Sequence, residues 1–258
     1  MSVLPLTGQR VLVTRASHQA GQLSEGLREL GAEVVEVPVI EIRPPASLES
    51  LDAALRRFAE YNWLVLTSAN AARAIAERAA QLGIELDQPA SMSVAAVGQS
   101  TAVAAVAAGF QVTFVPEFYV AESLLEGMKD QVMGKKVLLA RASVARDVIP
   151  DSLQTAGAEV DVVEAYQNVL PEAAPGLLRQ ALENKVDAAT FTSSSSVTHL
   201  EEAARHAWVE WPLEGVRAVS IGPITSQTLR DLKWPPAGEA SQSDIPGLIE
   251  AVVRVLRG

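Results

Sequence analysis

The chain runs to 258 residues, of which 48% are hydrophobic and 20% charged, a composition that belongs to a folded globular protein of one to two domains. It has no cysteine and only three histidines (His18, His199, His206), none in a metal-ligand spacing, which excludes disulfides, thiolate zinc, iron–sulfur clusters and cysteine nucleophiles and predicts no metal site. A net charge of −10, a pI near 4.9 and the lack of any Lys/Arg cluster exclude nucleic acid and anionic membrane as expected partners.

In chain order, Val11 to Thr14 reads as a first strand that ends at Arg15. An amphipathic helical stretch follows to Leu30, and Val34 to Val37 forms the next strand. The segment Val37-Pro-Val-Ile-Glu-Ile-Arg-Pro-Pro45 is extended and closes on proline, as suits a linker. Trp63 to Leu66 is a buried strand that meets Thr67-Ser68-Ala69-Asn70 and then an Ala-rich helix. Val94 to Val97 runs likewise into Gly98-Gln99-Ser100-Thr101. No basic stretch followed by an apolar one opens the chain, and no run reaches the ~18 apolar residues of a spanning helix, so a cytoplasmic protein is expected.

From Val137 the chain repeats itself. Val137-Leu-Leu-Ala-Arg-Ala142 matches Val11-Leu-Val-Thr-Arg-Ala16, with Arg15 and Arg141 126 residues apart, as are Gly31 and Gly157. Ala189-Thr-Phe-Thr-Ser-Ser-Ser195 matches Leu64-Val-Leu-Thr-Ser-Ala-Asn70 at a spacing of 125. Ala218-Val-Ser-Ile-Gly-Pro-Ile-Thr225 matches Val94-Ala-Ala-Val-Gly-Gln-Ser-Thr101 at 124. The order is kept and the spacing drifts by one residue per block, so the chain is an internal duplication. Strands alternating with helices predict two similar doubly wound parallel α/β sheets. Val163-Glu-Ala-Tyr-Gln-Asn-Val-Leu-Pro171 is the counterpart of the first linker. If both segments cross between lobes, one lobe comprises residues 1–38 and 168–258 and the other, 40–165, is inserted into it.

Ligands of such sheets sit beyond the carboxyl ends of the strands, at helix N-termini. Those positions hold Thr67 and Ser68, Gly98, Ser100 and Thr101, Ser193 and Ser194, and Gly222 and Thr225. Hydroxyls and open amides there suit a polyanion, but Ser and Thr are also ordinary N-caps, and both readings stand. Arg15 and Arg141, the latter followed by Arg146, can pair with carboxylates or with surface partners. Tyr166, in the second linker, could donate a proton to a leaving group or serve as a hinge residue; Tyr119 reads as structural. No nucleotide-binding glycine loop follows any strand, and no DxD pair supports a sugar-nucleotide transferase.

Taken together, Val11-Leu-Val-Thr-Arg-Ala16, Trp63-Leu-Val-Leu-Thr-Ser-Ala-Asn-Ala71, Ala96-Val-Gly-Gln-Ser-Thr-Ala102, Val115-Pro116 with Ala121-Glu122-Ser-Leu124, Gly157-Ala with Val163-Glu-Ala-Tyr166, Phe191-Thr-Ser-Ser-Ser-Ser-Val197 and Ser220-Ile-Gly-Pro-Ile-Thr225 resemble the uroporphyrinogen-III synthase family over nearly the whole chain. The resemblance implies two α/β lobes joined by a two-stranded connector, with one lobe inserted into the other. It implies a cofactor-free lyase of tetrapyrrole and heme biosynthesis that closes hydroxymethylbilane into uroporphyrinogen III, losing water and inverting ring D. It also implies that Thr67, Ser68, Gly98, Ser100, Thr101, Ser193, Ser194, Gly222 and Thr225 contact a linear tetrapyrrole polycarboxylate and that Tyr166 assists departure of the hydroxyl. Arg15 and Arg141 match basic positions that vary within the family and are implied as secondary contacts, and Ile224 stands where some relatives carry a second Thr. A cytoplasmic monomer is expected, in transient contact with the preceding pathway enzyme. The competing reading is a cytosolic two-lobed anion-binding or sensor module without catalysis.

Overall fold

The computed structural model describes residues 3–117, 121–144 and 148–258, with backbone alone for 17–19 and 121–122. Tyr119 and Arg146 lie outside the described residues. In chain order the elements are β1 (Arg10–Val13), α1 (Ser17–Glu29), β2 (Glu33–Glu36), β3 (Glu41–Arg43), α2 (Glu49–Arg56), β4 (Trp63–Leu66), α3 (Ala69–Leu82), β5 (Ser93–Ala96), α4 (Gln99–Ala107), α5 (Ala121–Met128), β6 (Lys136–Ala142), α6 (Val148–Thr155), β7 (Glu159–Val169), α7 (Ala174–Ala181), β8 (Ala188–Phe191), α8 (Ser194–Ala207), β9 (Arg217–Ser220), α9 (Pro223–Asp231), β10 (Gly238–Glu239) and α10 (Ile245–Arg257). Among the described residues no helix is long and apolar enough to cross a membrane.

The chain divides into two compact units, Met1–Glu41 with Val169–Gly258 (unit 1) and Ile42–Asn168 (unit 2). Unit 1 carries a five-stranded sheet in the order β10-β9-β8-β1-β2, with every pair parallel. The second sheet runs β3-β7-β6-β4-β5. Its β7-β6-β4-β5 portion is parallel, and an isolated parallel bridge joins Ala95 to Phe114 outside β5. Apart from β3, the two sheets have one topology: β6, β7, β4 and β5 occupy the places of β1, β2, β8 and β9. Strand order reverses between β1 and β8 in unit 1 and between β6 and β4 in unit 2, and such switch points are where doubly wound sheets bind ligands.

Burial on both faces explains why the central strands read as unbroken apolar runs. Along β4, Leu64 and Leu66 pack into one cluster with Leu51, Leu55, Ile75 and Leu138. Trp63 and Val65 enter the opposite cluster with Leu124, Met128 and Leu153. Unit 1 repeats this layering. Leu12 and Phe191 join Leu178, Leu200 and Trp234 on one face, while Val11 and Val13 meet Leu23, Leu27 and Leu248 on the other. Each such leucine contributes roughly 1.5–3 kcal/mol by leaving water. The helices form where the pattern and caps agree. In α3, Ala71, Ala72, Ile75 and Ala79 make one buried stripe, Ser68 caps the start, and Gly83 ends the helix in the left-handed conformation at φ +67°, as an αL cap requires.

Candidate functional site

At the carboxyl ends of the unit 2 strands, the side chains selected from the sequence take distinct places. Thr67 turns its hydroxyl back into the sheet and donates to the Ala140 carbonyl at 3.1 Å, tying β4 to β6 across the switch point. Ser68 caps α3, its Oγ accepting the Ala71 N–H at 3.1 Å, and donates to the Tyr166 hydroxyl at 3.0 Å. Tyr166 reaches Ser68 through an irregularity in β7: Arg141 pairs with Glu164 but Ala142 pairs with Tyr166, leaving Ala165 unmatched. Side chains alternate along a strand, and one extra residue reverses the alternation. Glu164 is exposed, whereas Ala165 and Tyr166 are both buried, so the bulge turns the phenol inward. The backbone there is held by Ser143, whose N–H donates to the Tyr166 carbonyl at 2.9 Å.

Burial pushes the Tyr166 pKa above its ordinary value, against hydrogen bonds from Ser68 and Asn70 that pull it down. The phenol therefore stays protonated at neutral pH. With Ser68 donating to its oxygen, the phenol keeps its own hydrogen to donate.

The second turn of unit 2 has a different character. Gly98 is the N-cap of α4 and supplies no side-chain cap. The first helical bond runs from the Ala102 N–H to the Gly98 carbonyl, so the N–H groups of Gln99, Ser100 and Thr101 precede the helix's own ladder. Thr101 is buried, and Ser100 is exposed.

Unit 1 repeats the contrast. Ser193 caps α8 in a reciprocal box with Ser196, and Ser194 accepts a hydrogen bond from Thr228 of α9 at 2.8 Å. The α9 turn begins on Gly222, again without a side-chain cap. A Cβ on Gly222 would lie 2.7 Å from the Ser243 hydroxyl, so any larger residue there would turn that hydroxyl aside. Thr225 is buried and Ile224 exposed. Of the four turns, two are thus closed by their own serines and two open on glycine with their amides available. Positive helix ends of this kind attract carboxylates.

Two arginines stand at the switch points. Arg15 follows β1, and burial lowers its pKa; its Nε is buried with no hydrogen-bond partner among the described residues. Arg141, half-buried at the end of β6, is engaged in an interaction of its own. Among the described residues no cluster of three His, Cys, Asp or Glu side chains could hold a metal ion.

Residues 21–250 match the sequence pattern described as uroporphyrinogen-III synthase HemD. The chain belongs to the uroporphyrinogen-III synthase family. It is 37% identical to the uroporphyrinogen-III synthase of Synechococcus elongatus over 98% of this chain and 97% of that one. Its fold is that of a mutant uroporphyrinogen III synthase from the extreme thermophile Thermus thermophilus, at a TM-score of 0.70 and 20% identity over 97% and 99% of the two chains. It is also that of uroporphyrinogen-III synthetase from Helicobacter pylori, at 0.64 and 18% over 96% and 99%.

In this member of the synthase family Ser68 meets Tyr166 in unit 2, Ser194 of unit 1 meets Thr228 within α9, and Thr67 and Ser193 are engaged by a neighbouring strand and by their own helix. Asn70 was visible in the Thr67–Asn70 turn, but only the bulge reveals that it reaches Tyr166. Ser220, Ser226 and Glu239, which carry no motif in the sequence, form a chain behind the Gly222 turn: Ser220 and Ser226 hydroxyls lie 2.6 Å apart, and Ser226 donates to the Glu239 carboxylate.

Proposed function

We propose that this chain is a lyase that cyclises hydroxymethylbilane to uroporphyrinogen III, with loss of water and inversion of ring D. The observation that carries this reading is the Tyr166 hydroxyl: buried, protonated, and supported at its oxygen by Ser68 and Asn70 beside the carboxyl ends of a doubly wound sheet. In the reaction the pyrrole nitrogen pushes electrons toward the hydroxymethyl carbon and the C–O bond breaks. Tyr166 donates a hydrogen bond to the departing oxygen, which takes a proton from solvent and leaves as water; an equal proton returns to solvent when the free α-carbon of ring D forms the closing bond and loses its hydrogen. The substituted carbon of ring D attacks the resulting electrophilic carbon, and the spiro intermediate reopens and recloses in the inverted sense. A phenol with a raised pKa suits donation of a hydrogen bond to the leaving group better than full surrender of its proton.

The substrate brings eight carboxylates, and the proposed contacts are of two kinds. The amides of the Gly98–Thr101 and Gly222–Thr225 turns take carboxylates directly. Ser68, Ser193 and Ser194, with Thr67 behind them, shape the neighbouring capped turns, and Arg15 and Arg141 add charge at the switch points. Positioning of this sort can provide much of the rate and the regiochemistry. It also resolves the sign of the net charge: local amide dipoles and two guanidinium groups act at short range, where an overall −10 is screened within about 10 Å.

The proposed lobes are residues 1–38 with 168–258, and 40–165, and the proposed working form is a cytoplasmic monomer that takes its substrate from the enzyme that makes it. The test is to supply fresh hydroxymethylbilane and separate the porphyrin isomers after oxidation. Type III product well above the spontaneous background is expected. Type I isomer alone, even with tight binding of the substrate, would overturn the assignment in favour of a binding module.

A further inference from the structure

The duplication aligns the Gly222 turn with the Gly98 turn residue by residue, and three neighbouring positions differ together. Ser220, Ser226 and Glu239 of unit 1 stand 124 residues beyond Ala96, Ala102 and Val115 of unit 2. The structural places correspond: Ser220 and Ala96 end β9 and β5, Ser226 and Ala102 lie in the first turns of α9 and α4, and Glu239 and Val115 follow the residues that pair with Val219 and Ala95.

In unit 2 the trio is apolar. In unit 1 it is a hydrogen-bonded chain, with Ser220 and Ser226 wholly buried and Glu239 exposed at the sheet edge. Ser226 gives its hydrogen to the Glu239 carboxylate, so Ser220 must be the donor in the 2.6 Å contact between the two hydroxyls. Burying two hydroxyls is costly unless both are satisfied. The same strand-turn-helix joint closes in unit 2 with two alanines, so the fold itself does not call for them.

The chain ties the first turn of α9 to the ends of two strands. The turn has no side chain at Gly222 to fix it, and the Ser226 N–H already closes the first helical bond to Gly222. Its hydroxyl therefore ties the first turn of α9 to β9 and β10, while Thr228 bonded to Ser194 and the buried Leu229 hold the helix farther along. Since the amides of Ile224 and Thr225 move with that turn, a small rotation of α9 changes where they point, and hydrogen bonds weaken steeply as their angle falls.

We infer that Ser226 is a positioning residue: through Ser220 and Glu239 it aims the open amides of the Gly222–Thr225 turn at a substrate carboxylate. This rests on the reading of that turn as a substrate contact.

The test is to give unit 1 the alanine pair of unit 2. In Ser220→Ala/Ser226→Ala, Glu239 keeps its charge and is solvated, so the electrostatics of the site are preserved. Expected are a midpoint of thermal unfolding close to that of the parent and a KM for hydroxymethylbilane raised about fivefold to tenfold with kcat within about twofold, the mark of lost uniform binding. An unchanged KM in a folded double variant overturns the inference. A second pair keeps the question open to refutation should that variant fold poorly: Glu239→Gln retains an acceptor for Ser226, Glu239→Val does not, and both are neutral and exposed. KM of the Val form should exceed that of the Gln form by about threefold or more, and equal values overturn the inference as well. The amide resonances of Ile224 and Thr225 in the parent protein separate this outcome from failure of the parent reading. If the turn binds a substrate carboxylate, both shift when the product uroporphyrinogen III is added, whatever the serine variants do; if neither shifts, the turn is no substrate contact.

Discussion

The two units carry the same sheet and much of the same hydrogen bonding, so their differences isolate what each copy adds. At the amino ends of the strands they are nearly superposable in detail. The Asp187 N–H donates to the Arg10 carbonyl at 2.8 Å, and the Asn62 N–H donates to the Lys136 carbonyl at 2.9 Å. In return the Arg10 N–H reaches the Asp187 carboxylate at 2.8 Å, and the Lys136 N–H reaches the Asn62 amide oxygen at 3.0 Å. At the carboxyl ends the copies diverge. Tyr166 of unit 2 has Ile40 as its counterpart, 126 residues earlier, and the polar chain on Ser226 has no equivalent in unit 2. The ends that hold the sheet together have stayed alike, and the carboxyl ends have diverged where the proposed function gives Tyr166 the leaving group and the Gly222 turn a carboxylate.

Breaking the largest asymmetry should have the largest effect. Tyr166→Phe removes a phenol that has no counterpart in unit 1 while leaving the ring in its core position, where Tyr166 is only 7% exposed. We expect kcat for type III product to fall by about 10²-fold, the lower range for a positioned proton donor, with KM changed little. Stopped-flow or quenched assays with fresh substrate would measure it. Unchanged turnover would mean that Tyr166 is not needed as a donor and that positioning by the turns carries the reaction. In the native chain the phenol's raised pKa predicts no loss of this donor as pH rises through the neutral range toward its ordinary value of about 10.

The latch at the amino ends offers a subtler contrast, one of charge. Burial tends to raise the pKa of Asp187, but the Lys185 ammonium, the Arg10 N–H and Arg217 outweigh it and hold the carboxyl below its ordinary value. A depressed carboxyl contributes stability that is complete above the unfolded pKa of about 4 and is lost as pH falls through the folded one. The neutral Asn62 latch has no such dependence. Exchange of the Arg10 amide, followed by NMR and corrected for intrinsic rates, should therefore accelerate below about pH 4, whereas that of Lys136 should not. Asp187→Asn should transplant the unit 2 behaviour, removing the acid sensitivity at a cost of about 1 kcal/mol near pH 7.

The layout of this molecule was legible because its signals are periodic and repeated: strands such as Trp63–Leu66 and Ala188–Phe191, followed at fixed spacing by Ser or Gly turns, can be counted along the chain. Which turn is closed and which is open was less legible, since Thr67, Ser68 and Ser193 are hydroxyl residues with different duties. Thr67 bonds a neighbouring strand, Ser68 both caps α3 and supports Tyr166, and Ser193 caps its own helix. Only tertiary placement separates them. The Tyr166 bulge was hidden for a similar reason. Val163-Glu-Ala-Tyr166 reads as regular alternation with Tyr beside Glu164, and the one-residue slip that reverses it is set by pairing with β6. Nor did Ser220 and Ser226 stand out, because single serines in apolar surroundings acquire meaning only beside Ala96 and Ala102 of the other copy.

The smallest effect should come from the helix ends, where the duplication has left a mismatch. α3 and α4 are followed by Gly83 at φ +67° and Gly109 at φ +93°. Their counterparts after α8 and α9 are Trp208 at φ +56° and Lys233 at φ +63°, 125 and 124 residues onward. The geometry is the same: the Gly83 N–H reaches Ala79 and Ala80, and the Trp208 N–H reaches Ala204 and Arg205. A left-handed conformation costs an L-residue roughly 1–2 kcal/mol, part of which glycine returns as entropy in the unfolded chain. Trp208 is 93% exposed and Lys233 is exposed, so neither has much packing to lose. Trp208→Gly and Lys233→Gly should each stabilise by about 0.5–1 kcal/mol and raise Tm by roughly 1–4 °C. The reverse changes, Gly83→Ala and Gly109→Ala, should lower it by a similar amount, because a Cβ at either site meets nothing within 4 Å and backbone strain is then the only term. If Trp208→Gly instead destabilised the protein, the exposed indole would have to make a contact worth more than the strain it bears.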